Sequence, residues 1–499
     1  MRKSSILFLA AFFIILNRIP TLSESRSNQT SWTDKVAPEV LVAAQSGEVE
    51  YLVILREQAS LIQARLLKSK EEKGAFVYET LTSFANINQK PLRRALDALR
   101  ADYQAFWVTN MIWVQSDLEA LQALAQREDV AKIAANPSVP IALPPIDFSP
   151  PSTQAIDGIE WNIDKIHAPM VWDLGYTGQG VVIGGQDTGY KWDHPALINS
   201  YRGWDGAKVD HNYSWFDATD PSNAIAVDPH GHGTHTMGIM VGDDGGSNQI
   251  GVAPGAKWIG CRNMDESGNG TPATYTACYQ WFIAPTDLYG ENPDTTKAPD
   301  VINNSWSCPV WEGCSDPEIL LSVVQAVHAA GIVTVNSAGN GGNSCASVAE
   351  PAAIYEESFS VGATDSSDTI TYFSSRGPVT VDESNRLKPN ITAPGSSIRS
   401  SYPGNPEDRY VYLSGTSMAA PHAAGLVALL LSANPTLSGQ VDQIETLIEN
   451  NALPRIADQE CGGIPGTNIP NNTYGYGRVD AWTAILASLN SYFFPLVIR

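Results

Sequence analysis

Basic residues are scarce in this 499-residue chain: 31 lysines and arginines stand against 53 aspartates and glutamates, a net charge of -22. The imbalance is local. Residues 1–150 carry equal numbers of both signs, so the whole acidic excess falls on residues 151–499. A surface of that sign repels a phosphate backbone and excludes nucleic acid as the partner of this part. Long apolar runs are also missing. The stretch from Ser5 to Leu16 follows a basic start, Arg2-Lys3, and falls short of the ~20 residues a helix needs to cross a bilayer. It reads as a secretory signal over 1–24, so the mature form is expected off the membrane. No later segment reads as membrane-spanning, and 491–498 is a short apolar tail. Cysteines are few, and no Cys-x-x-Cys pair occurs, which argues against a zinc site. The six, Cys261, Cys278, Cys308, Cys314, Cys345 and Cys461, all lie beyond residue 150. In an exported chain an even number reads as disulfides. Their pairing stays open, although Cys308 and Cys314 are near enough to close a small loop. Internal repeats are absent.

Glycine (40) and proline (32) are plentiful, which suits many loops around a compact framework. Residues 25–50 are polar and mixed. The pattern then predicts a strand over 50–55, a helix over 59–73, a helix or extended segment over 75–85 and a helix over 91–105. A strand over 106–114 follows. Ser116-Asp117-Leu118-Glu119 has capping-box spacing and opens a helix to Gln126. A strand over 130–134 completes a small α+β unit, 45–138. Four prolines between Pro144 and Pro151 mark 139–157 as a linker. Over 158–486 short apolar strands (180–186, 258–261, 301–304, 332–335, 359–362) alternate with helices, among them one from His232 and one over 318–330. That alternation predicts an α/β domain whose mainly parallel sheet is covered on both faces. Residues 487–499 form a tail.

Reactive residues fall at the ends of these elements. Asp187 closes the strand over 180–186, in Asp187-Thr188-Gly189. His232 lies in Gly231-His232-Gly233-Thr234-His235. Ser417 lies in Gly415-Thr416-Ser417-Met418-Ala419-Ala420-Pro421-His422, where a helix opens and developing negative charge is favoured. An acid, an imidazole and a hydroxyl are the parts of nucleophilic acyl transfer. Asn340, in Asn336-Ser337-Ala338-Gly339-Asn340, could donate its amide to an oxyanion. Taken singly, Ser417 reads equally as a helix N-cap and Asn340 as a turn residue.

Together and in this order, the four motifs resemble the subtilisin family of serine endopeptidases over about 158–486. The stretches Trp192-Asp193-His194-Pro195, Tyr201-Arg202-Gly203 and Pro254-Gly255-Ala256-Lys257-Trp258-Ile259 resemble its bacillopeptidase F-like branch. The resemblance implies a three-layer α/β/α fold. It implies Asp187, His232 and Ser417 as the catalytic triad and Asn340 as the oxyanion donor. His194, His235 and His422 are left as structural. Ser305, Trp306 and Ser307 match a substrate-lining strand, and Ser337, Ala338 and Gly339 the facing segment. Cys308-Pro309 departs from the family pattern there, which leaves the shape of the P1 pocket open. The first unit resembles the family's ferredoxin-like propeptide, an intramolecular inhibitor that the enzyme cuts away between about 136 and 158. Protein or peptide substrates and a monomeric mature enzyme are expected. The chemistry needs no cofactor. A structural calcium ion is common in the family, and Asp243, Asp244 and Asn248 are its candidates here. Two other readings compete. A non-catalytic peptide binder would normally lack a triad member. An unrelated esterase would want a G-x-S-x-G elbow, which Gly415-Thr416-Ser417-Met418 is not.

Overall fold

In the computed structural model, residues 31–141, 158–310, 313–404 and 409–490 are described. The expected signal, most of the proline-rich linker and the apolar tail lie outside them.

The first unit is a four-stranded antiparallel sheet of β1 (Val49–Leu55), β2 (Asp102–Phe106), β3 (Met111–Ser116) and β4 (Val130–Ala135), in the order β2-β3-β1-β4. Helices Lys70–Asn88 and Lys90–Leu99 join β1 to β2, and Leu118–Ala125 joins β3 to β4. Four expectations change here. The helix expected over 59–73 is only a 3-10 turn, Ile62–Leu66, and the true helix opens one turn later. Its start is the reciprocal box of Ser69 and Glu72, a cue stronger than the loose apolar period before it. The helix expected over 91–105 stops at Leu99 with Arg100 in the left-handed region, and the strand expected over 106–114 is a hairpin, β2-β3, around residues 107–110. Finally, Asp117 and not Ser116 caps the next helix, accepting from Ala120 N at 2.9 Å. The Ser116 hydroxyl is instead hydrogen-bonded to Tyr51 in the sheet.

After β4 the chain forms β5 (Val139–Pro140), which leaves this unit and pairs with the second one. There, β6 (Val182–Asp187), β7 (Trp215–Asp217) and β8 (Lys257–Arg262) precede the short β9 (Asn269–Gly270). β10 (Val301–Asn304), β11 (Val333–Ser337), β12 (Phe359–Thr364) and β13 (Ile391–Pro394) follow. Seven of them form a parallel sheet in the order β13-β12-β11-β10-β6-β8-β7. Every residue of β10 to β13 is buried, as expected of strands covered on both faces. One face packs on helices His232–Val241 and Thr416–Ala433, and Val441–Asn450 joins the same apolar cluster through Val441, Ile444 and Ile448 at helical spacing. The other packs on Pro272–Ile283 and Leu321–Ala329. The domain is thus a three-layer α/β/α sandwich. Thr416–Ala433 is long and apolar enough to span a membrane by composition, against the expectation that no segment is. It is apolar because sheet and helices surround it on every side.

The first unit sits on the second face, contributing Leu52, Val77, Leu81 and Phe106 to the same apolar cluster. Polar contacts fix the fit. Gln280 Oε1 accepts from Trp107 N and Val108 N, Lys70 pairs with Asp300 at 2.7 Å, and Asn136 Oδ1 accepts from Ala273 N at the start of Pro272–Ile283. Three disulfides settle the open pairing: Cys261–Cys278, Cys308–Cys314 and Cys345–Cys461.

Candidate active site

Strand order reverses at β6: chain-successive strands run outward to β8 on one side and to β10, β11 and β12 on the other. In open parallel sheets the crevice at that reversal, beyond the carboxyl ends, is where ligands bind. Asp187 is the last residue of β6, Ser305 follows β10, and Ser337 ends β11. His232 and Ser417 stand in the first turns of two helices packed on each other, His232–Val241 and Thr416–Ala433.

The pair at the centre is buried. His232 Nδ1 donates to Asp187 Oδ1 at 2.7 Å, with both side chains almost wholly excluded from solvent. Asp187 Oδ1 also accepts from Thr188 N at 2.7 Å. With Nδ1–H committed to the carboxylate, Nε2 is the acceptor end of the ring, and it has no hydrogen-bond partner among the described residues. Two glycines make the approach possible. A Cβ on Gly233 would lie 2.1 Å from Gly189 O, and one on Gly189 would lie 1.9 Å from Val227 O.

Asp228, which the sequence reading passed over, anchors this corner. Its Oδ1 accepts from Gly231 N and Thr188 Oγ1, and its Oδ2 from Thr234 N and Oγ1, so one carboxylate ties the start of the His232 helix to the end of β6. Burial raises its pKa, and these donors oppose the rise. The available signal was an aspartate just upstream of a helix start.

Ser417 Oγ donates to Ser305 O at 3.0 Å instead of to His232. Ser305 Oγ in turn donates to Ser417 O at 2.9 Å, so Ser305 clamps Ser417 from both of its groups. Asn340 Oδ1 accepts from Thr416 N and Thr416 Oγ1, both at 2.9 Å, which turns the amide nitrogen to the opposite side. Beside Ser417 lies a cavity of about 70 Å³ lined by Ser305, Trp306, Ser307, Ser337, Gly339 and Asn340. Ala338 is absent from that lining; its side chain packs into the core behind the wall. Ile141, Gly341 and Glu350 complete the lining and were not foreseen. Ile141 arrives with β5, where Val139 pairs antiparallel with Gly270 and Ile141 N donates to Gly268 O.

The other histidines hold structure. His235 Nε2 donates to Ile398 O and Val411 O, tying its helix to the hairpin β14 (Ile398–Ser401) and β15 (Tyr410–Leu413). His422 Nδ1 donates to Met418 O while Asn162 Nδ2 donates to its Nε2. His194 Nε2 donates to Arg409 O. Burial lowers their pKa values, to about 3 for His235 and about 4 for His194 and His422.

In the loop that carries the calcium candidates Asp243, Asp244 and Asn248, several side-chain oxygens are engaged within the loop itself. Asp243 Oδ1 accepts from Gly245 N, and Asp244 accepts from Gly246 N, Asn248 N and Asn248 Nδ2. Asn248 Oδ1 is taken by Arg399 Nη2 at 2.8 Å, while Nη1 of the same guanidinium donates to Glu160 Oε1. The guanidinium also lies 4.6 Å from the centre of the Tyr410 ring. Of the three candidates, Arg399 thus engages Asn248 alone, through its amide oxygen. Among the described residues no three acidic, histidine or cysteine side chains gather as a metal site.

Comparison with known proteins agrees with this architecture. The subtilase family model matches residues 178–477. Bacillopeptidase F of Bacillus subtilis (strain 168) is 39% identical over 440 residues, which is 84% of this chain but only 29% of that protein's length. Thermophilic serine proteinase of Bacillus sp. (strain AK1) is 30% identical over 83% of this chain and 89% of its own. Subtilisin DY of Bacillus licheniformis is 33% identical over 56% of this chain and 87% of its own. A buried Asp–His pair at the sheet's reversal point, a serine opening the central helix and these likenesses lead to one conclusion: the chain belongs to the subtilase family.

Proposed function

We propose that the chain is an exported serine endopeptidase, made as a zymogen that processes itself. The observation that carries the reading is the buried His232–Asp187 hydrogen bond, with His232 Nε2 left as an acceptor and a serine at the start of the neighbouring helix. Ser417 Oγ turns from Ser305 O to Nε2, which takes its proton as Oγ attacks the scissile carbonyl. Asp187 keeps the tautomer and stabilises the imidazolium. The Asn340 amide and Ser417 N–H receive the oxyanion at a helix N-terminus. The imidazolium then protonates the leaving amine, and water repeats the attack on the acyl-enzyme.

Residues 1–24 act as signal, 45–138 as propeptide, 139–157 as the linker that is cut, 158–486 as the catalytic domain and 487–499 as tail. The strand order of the first unit is that of a split βαβ, ferredoxin-like fold. Its β5 extension supports the inhibitor role. It lies antiparallel to Asn269–Gly270 and carries Ile141 to the nucleophile, as an extended substrate would. Substrates are proteins or peptides, and the mature enzyme acts as a monomer. Three disulfides support an oxidising, extracellular setting.

The test is incubation of purified precursor with casein beside Ser417→Ala. Wild type should cut casein and shed its N-terminal region, and the variant should do neither. A wild type that leaves both intact refutes the reading.

A further inference from the structure

We propose that Glu350 makes the cavity beside Ser417 select lysine or arginine at P1, the residue whose carbonyl is attacked. This rests on the endopeptidase reading above. Glu350 is 4% exposed, and its carboxylate reaches the backbone of Gly339: a Cβ there would sit 3.2 Å from Oε2. Gly339 lies next to Asn340, so the acid stands behind the point where the oxyanion donor and the nucleophile meet the substrate. Its position is held from the opposite wall too, because Pro351 O accepts from Cys308 N, three residues after Ser305, and Cys308 is locked to Cys314.

The other lining suits a basic side chain. Trp306 is buried and stacked on Tyr275, with centroids 3.8 Å apart and planes 10° from parallel. A rigid indole wall packs a methylene stem and attracts a cation. The cavity, about 70 Å³, admits a thin chain of a few heavy atoms more readily than a broad ring. When ionised, a carboxylate only accepts, and a cation in the cavity favours that form, so the matching group is an ammonium or guanidinium. A leucine or phenylalanine would bring apolar surface against that charge. The net charge of -22 adds a field that draws basic peptides in.

The experiment uses the full-length protein after self-processing and peptide p-nitroanilides that differ only at P1: Lys, Arg, Gln, Leu and Phe. Wild type should show kcat/KM at least about 100-fold higher for Lys or Arg than for Leu or Phe. Glu350→Gln should shrink the Arg-to-Leu ratio at least about tenfold, the share of one charge-assisted contact. A ratio within one preparation does not depend on how much of the variant folds. Wild type alone gives a second reading: a peptide aldehyde ending in arginine should inhibit more tightly than one ending in phenylalanine. The assignment is overturned if Leu or Phe is cut best, if Gln outranks Arg, if the phenylalanine aldehyde binds more tightly, or if Glu350→Gln leaves the ratio unchanged. Should wild type cut neither these peptides nor casein, the endopeptidase reading falls and takes this one with it. If casein is cut and a neutral P1 wins, only the role of Glu350 falls.

Discussion

At the scale of single residues, the candidate site around Asp187 and His232 was legible because each sits in a motif whose neighbours must be small. Gly189 and Gly233 leave no room for a Cβ, so the short patterns around Asp187 and His232 are dictated by contact and can be seen in one dimension. Asp187→Asn should leave the fold intact and lower kcat about 10⁴-fold, the loss expected when the base is held in the wrong tautomer. Stopped assays with a peptide ester, beside circular dichroism, would check both halves. Asn340→Ala should cost about 10²–10³ in kcat with little change in KM, the magnitude known for a subtilisin oxyanion amide. Equal losses in binding and turnover would assign Asn340 to ground-state contacts instead. Glu350 was not legible. It lies ten positions past Asn340 with no motif around it, and only the folded backbone returns it to Gly339.

At the scale of elements, strong local chemistry decided where the sequence reading held. The alternation of strand and helix was read correctly in kind, and Gly331, at φ 80°, follows Leu321–Ala329 where the chain leaves the helix. The first unit's helix starts later than its apolar period predicts because the Ser69–Glu72 box outweighs that loose period. Two predictions belong here. Arg399 bridges Asn248 of the Asp243–Asn248 loop to Glu160, so a chelator should leave Tm unchanged, whereas Arg399→Ala should lower stability by about 1–3 kcal/mol through the loss of Glu160's partner. A fall of several degrees in chelator would restore the calcium expectation. The second concerns pH. His235, His194 and His422 have folded pKa values of about 3 to 4, below the 6.5 of an unconstrained imidazole. Below pH 6.5 the unfolded chain therefore binds protons that the fold does not. Their contribution is complete above 6.5 and is lost as pH falls from there through about 4 for His194 and His422 and about 3 for His235. Urea midpoints across pH 4–8 should fall on the acid side, and His422→Asn should flatten the slope.

At the scale of the whole molecule, the N-terminal unit and the sheet form one assembly held by an apolar contact, the Lys70–Asp300 pair and the β5–β9 strand pairing. Because β5 brings Ile141 up to Ser417, N-terminal sequencing of the mature enzyme should find the new terminus within a few residues after Ile141. A terminus before Val139 would mean that β5 is not the segment presented for cleavage. The Cys345–Cys461 bridge closes a loop of 116 residues, so replacing both by serine should cost about 2–5 kcal/mol, read as a lower urea midpoint.

What the sequence determined by itself was local and short in range: the acidic second half, the α/β alternation, and the serine, histidine, aspartate and asparagine at element ends. Those features are written in neighbouring residues, where steric limits and periodicity act. The tertiary structure decided what depends on residues far apart in the chain. It chose among the disulfide pairings, put Arg399 on the loop expected to hold calcium, made Asp228 the anchor of the His232 helix, and set a carboxylate against the wall of the cavity beside Ser417. A parallel sheet forces this division, since each strand finds its neighbours only after a long crossover, and the site is made where those crossovers end.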